Sequence, residues 1–357
     1  MQRAGLKLKT FLHEPFAAMV SHFYDPDAKL SGVAGKRTLV FDWGGGTLDV
    51  CITEVSADGS QVFELSHDGI ADRAGDEFDT RLMLVLKRKL MDRSELKFED
   101  LPLRGNARDR FRIAAENCKI ALSSKLEERV EVPSLFELLG KLHDLEETVR
   151  REEFEEVVEP EIVEAEACVQ RCLNKVLLTT GLIDHVLLVG GTSNIPLVRS
   201  MMERMFGARV AVAFEPDAAI ARGAAIVAAE GWMPYNVKEV GVVLSDETLF
   251  TVLPAGHPLV ASESSRFSFY CVDPRDGVAR LQIGEHKRKG DRRISSLGDC
   301  LLVKTDPRIR ELRALDRITA RFIVTEDATL RIIAQSAGTG DQAELDVHDL
   351  CFGLKVG

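Results

Sequence analysis

Three consecutive glycines, Gly44-Gly45-Gly46, set between two β-prone runs and flanked by acids, constrain this chain more than any other stretch. Val40-Phe41-Asp42-Trp43 leads in and Thr47-Leu48-Asp49-Val50 leads out. The pattern predicts a hairpin whose turn carries no Cβ atoms and can lie against a polyanion. Backbone N–H groups of Gly45, Gly46 and Thr47 would donate to phosphate oxygens, the Thr47 hydroxyl would add a donor, and Asp42 and Asp49 would hold Mg²⁺ through its waters. The same residues also suit a flexible glycine hairpin with solvated acids, so the motif needs company.

A second motif supplies it. His185-Val186-Leu187-Leu188-Val189 reads as a buried strand running into Gly190-Gly191-Thr192-Ser193-Asn194, and Pro196 then opens a helix whose N–H donors point above the turn. Glu215-Pro216-Asp217 is followed by a helix rich in small residues, from Ala218 to Ala225, suited to close packing.

Together these segments resemble the seventy-kilodalton heat-shock chaperone family, the DnaK-like branch of the actin-like ATPases. The first is similar to its second phosphate motif and the other two to its adenosine motif. Leu12-His13-Glu14-Pro15-Phe16-Ala17-Ala18 resembles the segment crossing between the two lobes, with Phe16 where the family usually has threonine. Ala114 to Ser124 resembles the helix lining adenine and ribose.

The resemblance implies an α/β then all-β fold: an actin-like ATPase fold with a complete lobe II and a partial lobe I, followed by a β-sandwich peptide-binding-like domain. Residues 1–232 would form the partial nucleotide-binding domain, with 72–155 an inserted lobe II subdomain, 233–238 a linker, and 239–357 the sandwich. The family's first phosphate loop and γ-phosphate lysine precede the matched part, which implies a shortened or split chain whose missing lobe I segment is a partner. The crossing helices after Glu14 and Pro216 would then expose apolar faces. No helical lid follows the β region, so captured peptide would leave quickly.

The implied reaction is hydrolysis of ATP with Mg²⁺ between the lobes. Asp42 and Glu14 would position the metal's water shell and the attacking water, with Asp49 in support. Gly44, Gly45, Gly46 and Thr47 would hold phosphates, and Glu116, Lys119, Ser123, Gly190, Gly191, Thr192 and Asp217 would surround ATP or ADP. Asn194 stands where the family commonly packs arginine on adenine, which weakens base binding.

After Trp232 helical periodicity gives way to short alternating runs, at 239–244, 248–253, 266–272, 278–283, 300–303, 318–324 and 330–334, a pattern fitting a β-sandwich. The resemblance makes its cargo an unfolded or extended peptide. Ser245-Asp246-Glu247 puts acid at the loop tip, which disfavours an apolar cargo.

The formal net charge of −11 argues against nucleic-acid or anionic-membrane partners. The basic run His286-Lys287-Arg288-Lys289 with Arg292 and Arg293 reads as a solvated loop. Seven scattered cysteines lack zinc spacing; Cys168 and Cys172, one helical turn apart, read as buried small hydrophobes. The acid-rich stretch from Glu146 to Glu166 reads as a solvated helix face. With no leader or spanning segment visible, the cytoplasm is the default location.

Three function classes follow. A chaperone-type ATPase with co-chaperones and a nucleotide-exchange factor as partners is favoured by the β region after the adenosine motif. A structural actin relative lacks that region. A catalytically inactive nucleotide-binding or protein-interaction module keeps the fold without turnover.

Overall fold

A computed structural model describes residues 11–94, 103, 106–138, 141–213, 215–261, 265–272, 276–286, 293–306, 315–348 and 350–356. Residues 1–10, and the basic residues from Lys287 to Arg292, lie outside this range.

Alternating side chains between residues 37 and 71 fold as an antiparallel meander: β1 (Arg37–Trp43), β2 (Thr47–Val55) and β3 (Gln61–Ala71). The apolar run β6 (His185–Val189) adds parallel to β1, and β7 (Val210–Val212) adds parallel to β6. Such two-sided burial is what a continuous apolar strand predicts.

Period-2 alternation sends the two faces of this sheet into different cores. Leu39, Phe41, Trp43, Leu48 and Leu188 join α2 (Gly75–Ser94), α3 (Ala107–Leu122), α4 (Arg151–Lys175), α5 (Pro196–Phe206) and the hairpin β4 (Glu127–Leu138) and β5 (Lys141–Arg150). Val40, Leu187 and Val189 face α1 (Glu14–Phe23) and α6 (Ala219–Glu230) instead. Most acids of α4 are solvated as expected, but Glu161 is buried and takes the Arg81 guanidinium. Cys168 and Cys172 are buried among apolar neighbours, as their spacing suggested.

α1 does not show the exposed apolar face expected of it, whereas α6 leaves Ala221, Ala224, Ala225, Ala228 and Ala229 exposed as expected. Phe16, Ala17, Ala18, Met19 and Val20 of α1 are buried. α1 and α6 cross so closely that a Cβ on Gly223 would stand 1.7 Å from the Ala17 carbonyl oxygen. The core they share extends to Leu350, Phe352, Leu354 and Val356.

Residues 233–236, expected within a linker, instead form β8 (Met233–Asn236), a strand of the first sheet. Its neighbour is β18 (Phe352–Lys355), which pairs antiparallel with β3 on one side and β8 on the other. Among the described residues the order is β7-β6-β1-β2-β3-β18-β8.

Between β8 and β18 the chain builds two more antiparallel sheets. β9 (Val240–Val243), β10 (Leu249–Leu253), β12 (Val278–His286) and β13 (Ile294–Ser296) run in the order β10-β9-β12-β13, with β14 (Leu301–Lys304) also on β12. β11 (Ser265–Tyr270), β15 (Arg317–Val324), β16 (Leu330–Ser336) and β17 (Gln342–Val347) form the other in chain order. Val242, Ile283, Val303, Ile318, Ala320, Ile332 and Ala334 are buried in the core common to both.

Candidate functional site

The turn between β1 and β2 is fixed by its carbonyls. Gly44 accepts from the Gly75 N–H at 3.1 Å and the Thr192 hydroxyl at 2.8 Å, Gly45 from the Asp76 N–H at 2.8 Å, and Gly46 from the Asp72 N–H at 3.1 Å. Gly44 N–H closes the turn onto the Thr47 carbonyl at 3.0 Å. Among the described residues, the Gly45 and Gly46 N–H groups have no intramolecular acceptor. Two peptide donors are thus held in place and left over, a condition for anion binding.

Glycine also governs how the second motif meets the first. Gly190 has φ of 80°, and a Cβ there would stand 2.4 Å from the Trp43 carbonyl oxygen and 2.8 Å from Asp42 Oδ1. Only a glycine lets the end of β6 cross the end of β1 at this distance. Asp217 lies beside the following glycine, its Oδ1 3.4 Å from where a Gly191 Cβ would be.

These approaches leave a cavity of about 510 Å³, within the range of small-ligand pockets. Gly44, Gly45, Glu116, Lys119, Ser123, Gly191, Thr192, Asn194 and Asp217 line it, so nine residues singled out in the sequence converge. The helix α3 supplies Glu116, Lys119 and Ile120 from adjacent turns, with Ser123 at its C-cap. Gly46, Thr47, Gly190, Asp42, Asp49 and Glu14 are not among its lining residues.

Two side chains are occupied in ways the sequence did not foretell. The Thr47 hydroxyl donates to Asp49 Oδ2 at 2.8 Å. The Lys119 ammonium is paired with Asp79 Oδ1 at 2.7 Å and donates to the Gly75 carbonyl at 3.0 Å. Burial pushes the Asp79 carboxyl up, Lys119 pulls it back, and Glu116 and Asp76 add to the upward push. Gly75, Asp76 and Asp79 were not singled out in the sequence, because nothing local to the start of α2 marks them as facing the glycine turn. Asn194 is fixed by its neighbour, its Oδ1 accepting from Arg199 Nη2 at 2.9 Å.

Asp42 and Asp49 face each other in register across β1 and β2, with Glu14 at the start of α1. Burial pushes the Asp42 carboxyl up to about 6, and the charges of Glu14 and Asp49 push the same way. Among the described residues no three His, Cys, Asp or Glu side chains are arranged to hold a metal ion directly. Free turn amides, a cavity where a glycine side chain would intrude, and an acid set beside it fit a nucleotide whose metal is held through water.

The family model described as Hsp70 protein matches residues 1–348. The chain is 30% identical over 361 residues to the mitochondrial heat shock 70 kDa protein of Pisum sativum, covering 97% of the chain and 50% of that protein. It is 29% identical to the chloroplastic heat shock 70 kDa protein 6 of Arabidopsis thaliana, over 96% of the chain and 47% of that protein. Heat shock 70 kDa protein BIP3 of Oryza sativa subsp. japonica is likewise 29% identical, over 96% and 51%. The chain therefore spans about half the length of the curated relatives it matches. Mitochondrial and chloroplastic relatives overturn the cytoplasmic assignment, which rested only on an absence of signals.

Proposed function

This chain belongs to the Hsp70 protein family, and from that premise we propose that it is a chaperone component that binds ATP or ADP with Mg²⁺ in the Gly44–Gly191–Glu116 cavity. Membership carries with it an actin-like, nucleotide-binding ATPase fold. The observation that supports the site most is the pair of unclaimed amides at Gly45 and Gly46 beside a cavity walled by glycines. Phosphate oxygens take those amides, ribose hydroxyls take the carboxylates of Glu116 and Asp217, and the apolar side chains of Ile120 and Ile195 cover the base. Bound Mg²⁺ would supply charge neutralisation at the phosphates, with Asp42 and Glu14 accepting hydrogen bonds from its waters.

Turnover makes a further demand that this chain meets poorly. Phosphoryl transfer is accelerated by cations aimed at the transferring group. The one cationic side chain lining the cavity among the described residues, Lys119, is committed to Asp79. Asp42, its carboxyl pushed up to about 6 by burial, is suited to take a proton from water, but it works beside two other acids. We therefore assign the chain nucleotide binding with hydrolysis near background, and ATPase activity to an assembly that adds cationic groups.

The domain reading keeps 1–232 for nucleotide and gives the peptide role to the two later sheets between β8 and β18, two strands that themselves belong to the first sheet. The two later sheets would pack face to face as a sandwich that clasps an extended peptide, with Asp246 and Glu247 at one loop tip disfavouring apolar cargo. Co-chaperones and a nucleotide-exchange factor are the partners this reading implies.

Calorimetric titration with ADP, with and without Mg²⁺, tests the nucleotide site. Saturable one-to-one binding is expected, stronger with metal. A Cβ at Gly45 would meet nothing closer than Asp76 Oδ1 at 3.5 Å, so Gly45→Val should fold yet fill the ligand's space. Binding that is absent from the parent chain, or untouched in Gly45→Val, overturns the proposal.

A further inference from the structure

The start of α1 carries Glu14, and its position is set from a distant part of the sequence. His13 is the N-cap residue, and its carbonyl accepts the Phe16 and Ala17 N–H groups at 3.1 and 3.3 Å. The His13 ring stacks on Phe352 of β18 with centroids 4.2 Å apart and planes 20° from parallel. Phe352 also meets Phe16 edge-on at 4.8 Å, and it is almost wholly buried. One aromatic ring thus touches both residues that bracket the Glu14-Pro15 step.

His13 is held from its other side as well. Its Nδ1 lies 3.7 Å from Glu64 Oε2 on β3, while Glu64 Oε1 is bonded to His67. The adjoining Cys351 thiol donates to the Glu64 carbonyl at 3.4 Å.

β18 itself has little freedom. It is paired on both edges, Val356 N–H donates to Ser60 at 2.8 Å, and Val237 N–H donates to Cys351 at 2.8 Å. A Cβ on Gly353 would stand 2.5 Å from the Tyr235 ring. The strand therefore sits in one register, and Phe352 with it.

The geometry points to Phe352 as a positioning residue for Glu14: through the His13 ring it fixes the first turn of α1, and so aims the Glu14 carboxylate at Asp42 across the proposed nucleotide–metal site. The inference rests on the nucleotide reading above and adds to it a route from the strand after the two β sheets to the acid pair. Glu14 lies close enough to Asp42 for its charge to be felt there. Loss of the stack would let the turn fray and would weaken the water-mediated hold on metal, leaving the amide and ribose contacts as they are.

Three variants decide it. Phe352→Leu keeps an apolar side chain but removes the ring, Phe352→Ala removes both, and Leu354→Ala weakens the same buried strand without touching His13. In Phe352→Leu the Phe16 and Ala17 amides should exchange with deuterium about tenfold faster while β1 and β2 amides keep their rates. Mg²⁺-free ADP affinity should stay within about twofold, and the gain in affinity on adding Mg²⁺ should shrink about fivefold or more. Leu354→Ala should leave that gain intact.

A gain that falls equally in Leu354→Ala, or amides unmoved in both Phe352 variants, overturns the inference. If the parent chain binds no ADP at all, the nucleotide reading fails, and the amide rates alone decide whether Phe352 fixes the turn.

Discussion

Two buried carboxylates, Asp42 on β1 and Glu64 on β3, respond to pH with opposite signs. The folded Asp42 carboxyl titrates at about 6 against 3.8 unfolded, so the folded state binds its proton more tightly and stability falls as pH rises through that window. Asp42→Asn should then raise stability by about 3 kcal/mol at pH 8 and by almost nothing at pH 3, read from urea melts. The same change should cost at least ~10²-fold in turnover once an assembly hydrolyses ATP. Glu64 is the reverse: burial opposes its charge, but His13 and His67 hold it down to about 2 against 4.5 unfolded. Its stabilisation is complete above pH 4.5 and is lost as pH falls towards 2, so Glu64→Gln should cost about 3 kcal/mol at pH 7 and little at pH 2. Asp42, Asp49 and the glycine turn were legible in sequence because their chemistry is local to one hairpin. The Lys119–Asp79 pair was not, since forty residues separate its members and only the packing of α2 on α3 joins them.

Strands with a strong pattern in their own residues were readable, whether their partners lie near or far in the chain. β1, β2 and β6 begin and end where alternation and apolar runs place them, at 37–43, 47–55 and 185–189. β8, β13 and β18 went unseen: each is only three or four residues long, too short to show a period. β17 also went unread, although Gln342–Val347 alternates polar and apolar along its whole length. At the α1–α6 crossing the apolar face of α1 was misjudged for a related reason, since no local signal reveals what covers an apolar helix. That crossing makes a sharp test of two glycines. Gly223→Ala forces a Cβ into the Ala17 carbonyl and should cost about 3 kcal/mol or prevent folding. Gly32→Ala meets nothing within 4 Å and should change stability by less than about 0.5 kcal/mol in the same denaturation series.

At the scale of the molecule, the two later sheets share one buried core with α1, α6 and one face of the first sheet, while the helices that line the cavity pack in a second core on that sheet's other face. Peptide affinity is the test of the β region: extended peptides should bind with micromolar constants and exchange within seconds, basic ones more tightly than apolar ones, by fluorescence anisotropy. Slow release of an apolar peptide at nanomolar affinity would reject the acid-tipped, open clasp. The pairing of Phe352–Lys355 with Gln61–Phe63 has a consequence during synthesis. Strands made nearly three hundred residues apart must meet before the first sheet closes on this side. At ribosomal speeds of about 5–20 residues per second, the Gln61–Phe63 edge waits roughly 15–60 s for its partner. For that interval the nascent protein shows an open strand edge to every other chain nearby, and the pace of translation decides how long that exposure lasts.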